Sequence, residues 1–500
     1  MSQTQEQFKD YLKKMQLYSR VNTLLMWDLY TATPKKGYEE MSDALTYFST
    51  EEFVLSTSDE LYSLLEALQQ PAEYDQLDEV MQFTVRIMKR EMDENRRIPK
   101  EFYEKMVAAK NASMQAWQEA KQASDFSIFA PHLEKLIELT RQKCAYTHPG
   151  QDVYDVLLNQ FEEGMDSATI DRIFEELKEG LVPLVKKILA APQPDSHLLD
   201  GYYDPDDQKK VQDLLLGYIG FDKEAGVTAA SEHPFTQGFS RRDVRVTNHF
   251  YPDNAISAMF SAIHEGGHAI FEQNVNPALS GTPADDCRYM GIHESQSRFF
   301  ENVLGRNRNF WLPVYEQIQE LLPDLKKVSL DDFYREINHV QGSLIRTEAD
   351  EVTYGLHIII RYEIEQAIFR DHVPVSELPA LWNRKMQDYL QVTPEKDSDG
   401  ILQDMHWSDG SFGYFPSYLL GNIYDGMFLD AMEEDLGDLD AILAAGNIKT
   451  ITRWLNTHIH WYGGLRLPKD VIREVCGKEL SAEPLLRYFT KKYTEIYHLS

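Results

Sequence analysis

The sequence predicts a mainly α-helical protein, a large multi-helix body with one small β element. Three observations carry this: helical periodicity from the first residues, one segment where that period gives way to alternation, and the lack of any internal repeat or low-complexity linker. Phe8, Tyr11, Leu12, Met15, Tyr18, Val21 and Leu25 recur every three or four positions and define one amphipathic face. The same period predicts helices over 78–94, 113–123, 129–143, 169–191, 331–343 and 353–371, with turn residues between them. Over 243–251 the β-branched residues alternate with polar ones up to Thr247, which predicts a short strand. It leads into a helix over 253–272, striped by Ile256, Met259, Phe260, Ile263, Gly267, Ile270 and Phe271 and capped by Asp253 or Asn254. The acidic run 433–440 reads as a solvated loop. No clean boundary can be drawn. The expectation is a single domain over 1–500, with a mostly helical part over 1–230, the motifs below within 231–420, and helices over 421–500.

A chain of 500 residues exceeds the size at which one core stops growing, so several domains or one multi-lobed body with a cleft is expected. Hydrophobic residues at 43% and charged residues at 26% are ordinary globular values and exclude wholesale disorder. A net charge of -31 argues against general affinity for nucleic acid or an anionic membrane. Cys144, Cys287 and Cys476 are odd in number and form no CxxC pair, which suits a reducing compartment. The polar start over 1–14 shows no secretory signal, so a cytoplasmic location is expected. The most apolar stretch, 356–369, is broken by Arg361, Glu363 and Glu365, and no transmembrane segment is expected.

Chemistry concentrates in His264-Glu265-Gly266-Gly267-His268. Two imidazoles four residues apart stack on one helix face, at the separation two ligands of one ion require, with Glu265 beside them. That arrangement points to a zinc-dependent peptidase in which His264 and His268 hold the metal and Glu265 is the general base. The motif is short, and the alternative is a helix with two unrelated histidines. Its place on an amphipathic helix after a strand, and two glycines that would admit another backbone or a substrate, favour the metal. A third histidine ten residues after the first is excluded, because Phe271 and Asn274 stand where that variant needs glycine and histidine. The third ligand must come from further along. Glu294, in His293-Glu294-Ser295-Gln296, is the best candidate, on a helix that continues through Phe299, Phe300, Val303 and Leu304; Glu272, Asp285, Asp286 and Glu301 are rivals that spacing cannot dismiss.

At this point the residues resemble the carboxypeptidase Taq family of metallocarboxypeptidases, also called thermostable carboxypeptidase 1. The resemblance rests on motifs in sequence order: His233-Pro234-Phe235; Asp243, Arg245 and Thr247; His264 to His268; His293-Glu294-Ser295-Gln296; Ile345, Arg346, Ala349 and Asp350; and Gly400, Gln403, Asp404, His406 and Trp407. It implies a mostly helical fold with a deep central groove, release of single residues from peptide C-termini, one zinc or sometimes cobalt ion per chain, and a homodimer. It also implies His264, His268 and Glu294 as ligands and Glu265 as the catalytic carboxylate, with the Arg346 and Gln403 to Trp407 motifs closing the groove around the substrate end.

An enzyme acting on C-termini must recognise a free carboxylate, which a guanidinium does with a bidentate charge-assisted pair. Arg346 is the first choice, against a helix-surface arginine paired with Glu348 or Asp350, and Arg245 is the second. Asp243, Arg245 and Thr247 share a strand face and could touch substrate or brace the metal helix. His406 and Tyr418 are candidate donors to the oxyanion formed by water attack. The stretch from His406 to Leu419 looks like the corresponding segment of helical zinc oligopeptidases; aromatic packing is the alternative for Tyr414 and Tyr418. His233 beside Pro234 reads as a rigid turn in the site wall, and His458 and His460 read as core packing. Two other functions use the same site: an oligopeptidase or dipeptidyl peptidase, and a non-catalytic peptide-binding scaffold, against which the intact Glu265 speaks.

Overall fold

The computed structural model describes residues 1–194, 197–285 and 288–499, so the rival ligand Asp286 and Cys287 lie outside the described residues. Helices begin where capping chemistry places them. The first helix, α1 (Gln3–Thr31), opens with a capping box in which Ser2 Oγ accepts from Gln5 N and the Gln5 side chain accepts from Ser2 N. Asp78, Asp125 and Asp166 cap the helices Glu79–Arg96, Phe126–Thr147 and Ser167–Ala190 in the same way, with a side-chain oxygen accepting from a first-turn N–H. The α1 stripe divides: Phe8, Tyr11 and Leu12 are buried with Leu61, Leu65, Met81 and Val85, whereas Val21 is exposed beside α2 (Tyr38–Ser56). A second, far larger core runs continuously from Phe83 to Tyr497 and holds Phe129, Phe174, Trp311, Trp382 and Tyr493. Burying each such side chain contributes about 1.5–3 kcal/mol.

Three sequence expectations need correction. The helix expected over 113–123 is the end of a longer one, Lys100–Ala123, whose first half buries only Phe102 and Met106 and so shows little period. The helix expected over 331–343 stops at Ile337 (Leu330–Ile337), because Asn338 Nδ2 donates to Tyr334 O and Arg306 O and turns the chain. The acidic run 433–440 is not a loop: it closes the helix Phe415–Leu436 and opens Leu439–Ala444, since Leu439 is buried and Asp438 caps the new helix.

The β element is a three-stranded sheet, of which only the last strand was legible: β1 (Gly226–Ala230), β2 (Thr236–Ser240) and β3 (Asp243–Asn248), in the order β1-β3-β2. β3 pairs parallel to β1 and antiparallel to β2, with Thr236 opposite Val246 and Gln237 opposite Arg245. β3 and β2 lie against the helix Ala255–Gln273, which carries the His-Glu-x-x-His motif and is capped by Asn254. Its other flanks meet Pro205–Ile219 and Met290–Arg298. Among the described residues no helix is long and apolar enough to cross a membrane.

Candidate metal centre

The motif helix is apolar on nearly every side, and that burial fixes its rotation. Ala258, Met259, Ile263, Ile270 and Phe271 are buried, which turns His264, Glu265 and His268 toward the remaining open face. The two motif glycines admit neighbouring elements. A Cβ on Gly266 would strike the Leu216 and Ile219 side chains, and one on Gly267 would lie 2.7 Å from the Gln296 carbonyl oxygen. The Met290–Arg298 helix therefore crosses in backbone contact at Gly267, which carries Glu294 to the histidines.

The ligand atoms of His264, His268 and Glu294 all lie within 4.8 Å of one another, a span that one divalent ion can bridge. Surrounding bonds orient His264 and Glu294. Glu301 Oε2 lies 2.8 Å from His264 Nδ1, which leaves Nε2 as the free nitrogen. Arg298 Nε donates to Glu294 Oε1 at 2.8 Å while Glu294 Oε2 faces His268 Nε2 at 3.7 Å, so one carboxylate oxygen is anchored and the other is left to the cluster. Arg298 Nη1 also reaches Glu301 Oε2 at 3.2 Å, linking the two acids. Glu294, Arg298 and Glu301, spaced i, i+4 and i+7, share one side as the helix continues into a π-helical turn, Phe299–Leu304.

Electrostatics separate the groups. Burial works against charge on His264, but the Glu301 hydrogen bond and the nearby Glu294 and Glu265 push its pKa up to about 9. Burial, with His293, His264 and Arg298, holds His268 well below its ordinary value and neutral. Burial raises Glu301, yet Arg298 and His264 outweigh it and bring it down to about 2. Glu265 is raised, first by burial, although the His264 charge and the Thr236 hydroxyl oppose this. Thr236 Oγ1, on β2, donates to Glu265 Oε2 at 2.7 Å and so sets the direction of that carboxylate.

The rival ligands go elsewhere. Glu272 lies 3.6 Å from His293 Nε2, Asp285 accepts from Gly281 N, and Glu301 serves His264. His293 stacks on His268 with ring centres 4.4 Å apart. Two cavities border residues next to the cluster: one of about 370 Å³ bounded by Arg20, Gln237 and Glu272, and one of about 430 Å³ bounded by Phe260, Arg298, Glu301, Arg346 and Tyr354.

Arg346 is neither helical nor paired with Glu348 or Asp350. It sits buried in a 3₁₀ turn, where Nε and Nη2 donate to Asp404 Oδ1 at 3.1 and 2.8 Å and Nη1 donates to the Tyr354 hydroxyl at 3.2 Å. The other Asp404 oxygen accepts from Arg361 Nε at 2.6 Å, and these two cations hold the acid well below the carboxylate range against the effect of burial. The Arg346 guanidinium lies 5.0 Å over the Tyr418 ring, and the Tyr418 hydroxyl is 3.5 Å from His406 Nε2. Burial brings the His406 pKa down to about 4, so its imidazole is neutral. Arg245 is spent differently: Nε and Nη2 donate to the two Asp243 oxygens at 2.9 Å, and its guanidinium covers Phe239. Thr247 is buried and accepts from Phe235 N and Ser231 Oγ, while Phe235 packs edge-on against Trp27 and Tyr30 of α1. His460 is buried with Nε2 2.7 Å from Gln296 Oε1; His458, only partly buried, stacks on Trp454.

Sequence reasoning passed over Arg298, Thr236, Tyr354 and Arg361. Arg298 carried a signal, since it stands four residues after Glu294 on the same helix face; Thr236, Tyr354 and Arg361 become neighbours only through the fold.

Two histidines and a glutamate that converge from two helices beside a buried carboxylate define a site of the metallopeptidase class. The comparisons make the class specific. Residues 7–493 match the model described as Carboxypeptidase Taq (M32) metallopeptidase, and the chain belongs to that family. It is 43% identical over 497 residues to Carboxypeptidase 1 of Bacillus subtilis (strain 168), covering 99% of each chain. Identity to Thermostable carboxypeptidase 1 of Thermus thermophilus is 35% over 499 residues, with 98% of each covered. The M32 carboxypeptidase structure from Deinococcus radiodurans R1 matches with a TM-score of 0.95 at 30% identity, covering 100% of both chains. The family resemblance is thereby borne out: the protein is a metallocarboxypeptidase of mainly helical fold that requires a divalent metal, and the oligopeptidase and scaffold alternatives are not favoured.

Proposed function

We propose that this enzyme hydrolyses the last peptide bond of peptides with Glu265 as the base that activates water, beside His264, His268 and Glu294, which would hold a zinc ion. The observation that carries the reading is the placement of Glu265, fixed by Thr236 on the same face as three converging ligand atoms. Zinc so held supplies Lewis acidity, bringing the pKa of water to about 7 and polarising a carbonyl; cobalt is the natural substitute. Glu265 takes the proton from water and returns it to the leaving amine, a task favoured by the raised pKa that burial gives it. Neutral His406 and the Tyr418 hydroxyl donate to the developing oxyanion. Arg346 receives the terminal carboxylate: its bonds to Asp404 and Tyr354 leave one N–H on each terminal nitrogen. Arg245 is the second choice, since Asp243 occupies its fork.

Release of the terminal residue from an N-blocked dipeptide tests this. A chelator should abolish it, Glu265→Gln should lower kcat by roughly 10²–10⁴, and amidating the substrate C-terminus should stop cleavage. Chelator-insensitive release or full activity in the variant overturns the mechanism.

The same reading includes one domain over 1–500, a cytoplasmic location and a homodimer. It draws on the large core from Phe83 to Tyr497, the free Cys144 and Cys476, and the exposed Leu17, Leu24, Tyr47, Phe53 and Val54 on α1 and α2.

A further inference from the structure

Glu365 is a fully buried carboxyl in the middle of the helix Tyr354–Phe369, and no step above uses it. A buried carboxyl is costly unless its oxygens are bonded, and burial accordingly pushes its pKa up to about 7. An apolar residue would serve the core better there, so the partners of Glu365 indicate its purpose. Its Oε1 accepts from Trp407 Nε1 at 2.8 Å, and its Oε2 accepts from Gly413 N at 2.9 Å and from the Tyr154 hydroxyl at 2.7 Å.

Trp407 and Gly413 are the two ends of one turn, and each adjoins a residue of the site. His406 immediately precedes Trp407. Tyr414 immediately follows Gly413 and leads into Phe415–Leu436, whose first turn carries Tyr418. Within the turn, Ser411 N donates to His406 O at 2.9 Å. Gly413 has φ of +83°, and a Cβ there would lie 2.7 Å from the Leu157 carbonyl carbon, so the chain passes this point only as glycine.

We propose that Glu365 is a positioning residue that staples both ends of the 407–413 turn and so holds the His406 imidazole and the Tyr418 hydroxyl in register for the reaction. The chemistry demands an acid at this place. A carboxyl presents an acceptor oxygen to each N–H, whereas a glutamine has one acceptor oxygen and would set its own N–H against either Trp407 or Gly413. The inference rests on the proposed roles of His406 and Tyr418, and its test separates the two.

Steady-state kinetics on the zinc-loaded enzyme would compare Glu365→Gln, His406→Gln, their combination, and Tyr154→Phe. Glu365→Gln should lower kcat by about tenfold or more, as loss of one charged hydrogen bond and a shifted donor imply, with little change in KM. In the His406→Gln background the same change should cost clearly less than in the wild type, leaving only the part that acts through Tyr418. Tyr154→Phe removes a bond to Glu365 without freeing the turn and should keep kcat near wild type. Wild-type kcat in Glu365→Gln, losses that multiply in the combined variant, or an equal loss in Tyr154→Phe would each overturn the staple while leaving the oxyanion reading intact. Wild-type kcat in His406→Gln would instead overturn the site reading on which it rests.

Discussion

Two helices of equal length, 19 residues each, sit at opposite extremes in this molecule. The motif helix Ala255–Gln273 is buried along most of its surface, wedged among a sheet and two further helices, whereas α2 has no fully buried residue and leans mainly on α1 and the short turn before it. Both segments are helical, but only the motif helix shows a clear apolar stripe in its sequence. A helix whose side chains must converge needs the surrounding contacts, since packing and not helix propensity fixes the rotation of His264, Glu265 and His268.

The largest effect that would sharpen this contrast is on pH dependence in the buried region. Glu162, fully buried, accepts from Gly291 N at the start of the Glu294 helix, and burial pushes its pKa up to about 7. Its folded pKa lies above the unfolded value, so its contribution to stability is complete below about pH 4.5 and is lost as pH rises through 7. Between pH 5 and 8 that loss is on the order of 3 kcal/mol, which Glu162→Gln should remove. Denaturant unfolding at both pH values checks this, and parallel slopes for the two proteins would refute it. Next in size, Gly267→Ala should destabilise by about 2 kcal/mol and weaken zinc binding, because the new methyl meets the Gln296 backbone. Unchanged affinity in a chelator competition would mean that the helix crossing has slack. Smallest of all, Phe53→Ala on α2 should change stability by less than about 0.5 kcal/mol at concentrations low enough to separate the subunits, and by more, with concentration-dependent unfolding, where the proposed homodimer forms. A small change at every concentration would remove this face from the dimer interface. Amide exchange should be faster along α2 than along the motif helix; equal protection would erase the comparison.

Much of the catalytic half was legible because its chemistry is local. The spacing of His264, Glu265 and His268 is a helical repeat, the alternation in β3 is a strand repeat, and both appear where expected. The first two strands escaped notice, since Thr236-Gln-Gly-Phe-Ser and Gly226-Val-Thr-Ala-Ala show no clear alternation and form only by pairing with β3. Arg346 was chosen for its guanidinium, and the fold replaces the helix-surface alternative with a partner that no local spacing shows, Asp404, 58 residues away.

Taken by itself, the sequence determined the helical class, the motif helix and the residue types able to hold a metal, because each depends on neighbours within a turn or two of the chain. Tertiary packing makes three choices that local spacing cannot: it brings Glu294 within 4.8 Å of both histidines, turns Glu301 onto His264 Nδ1, and closes Glu365 on both ends of a turn. Those choices depend on which helices cross and how closely, and that is set by core packing summed over residues hundreds of positions apart.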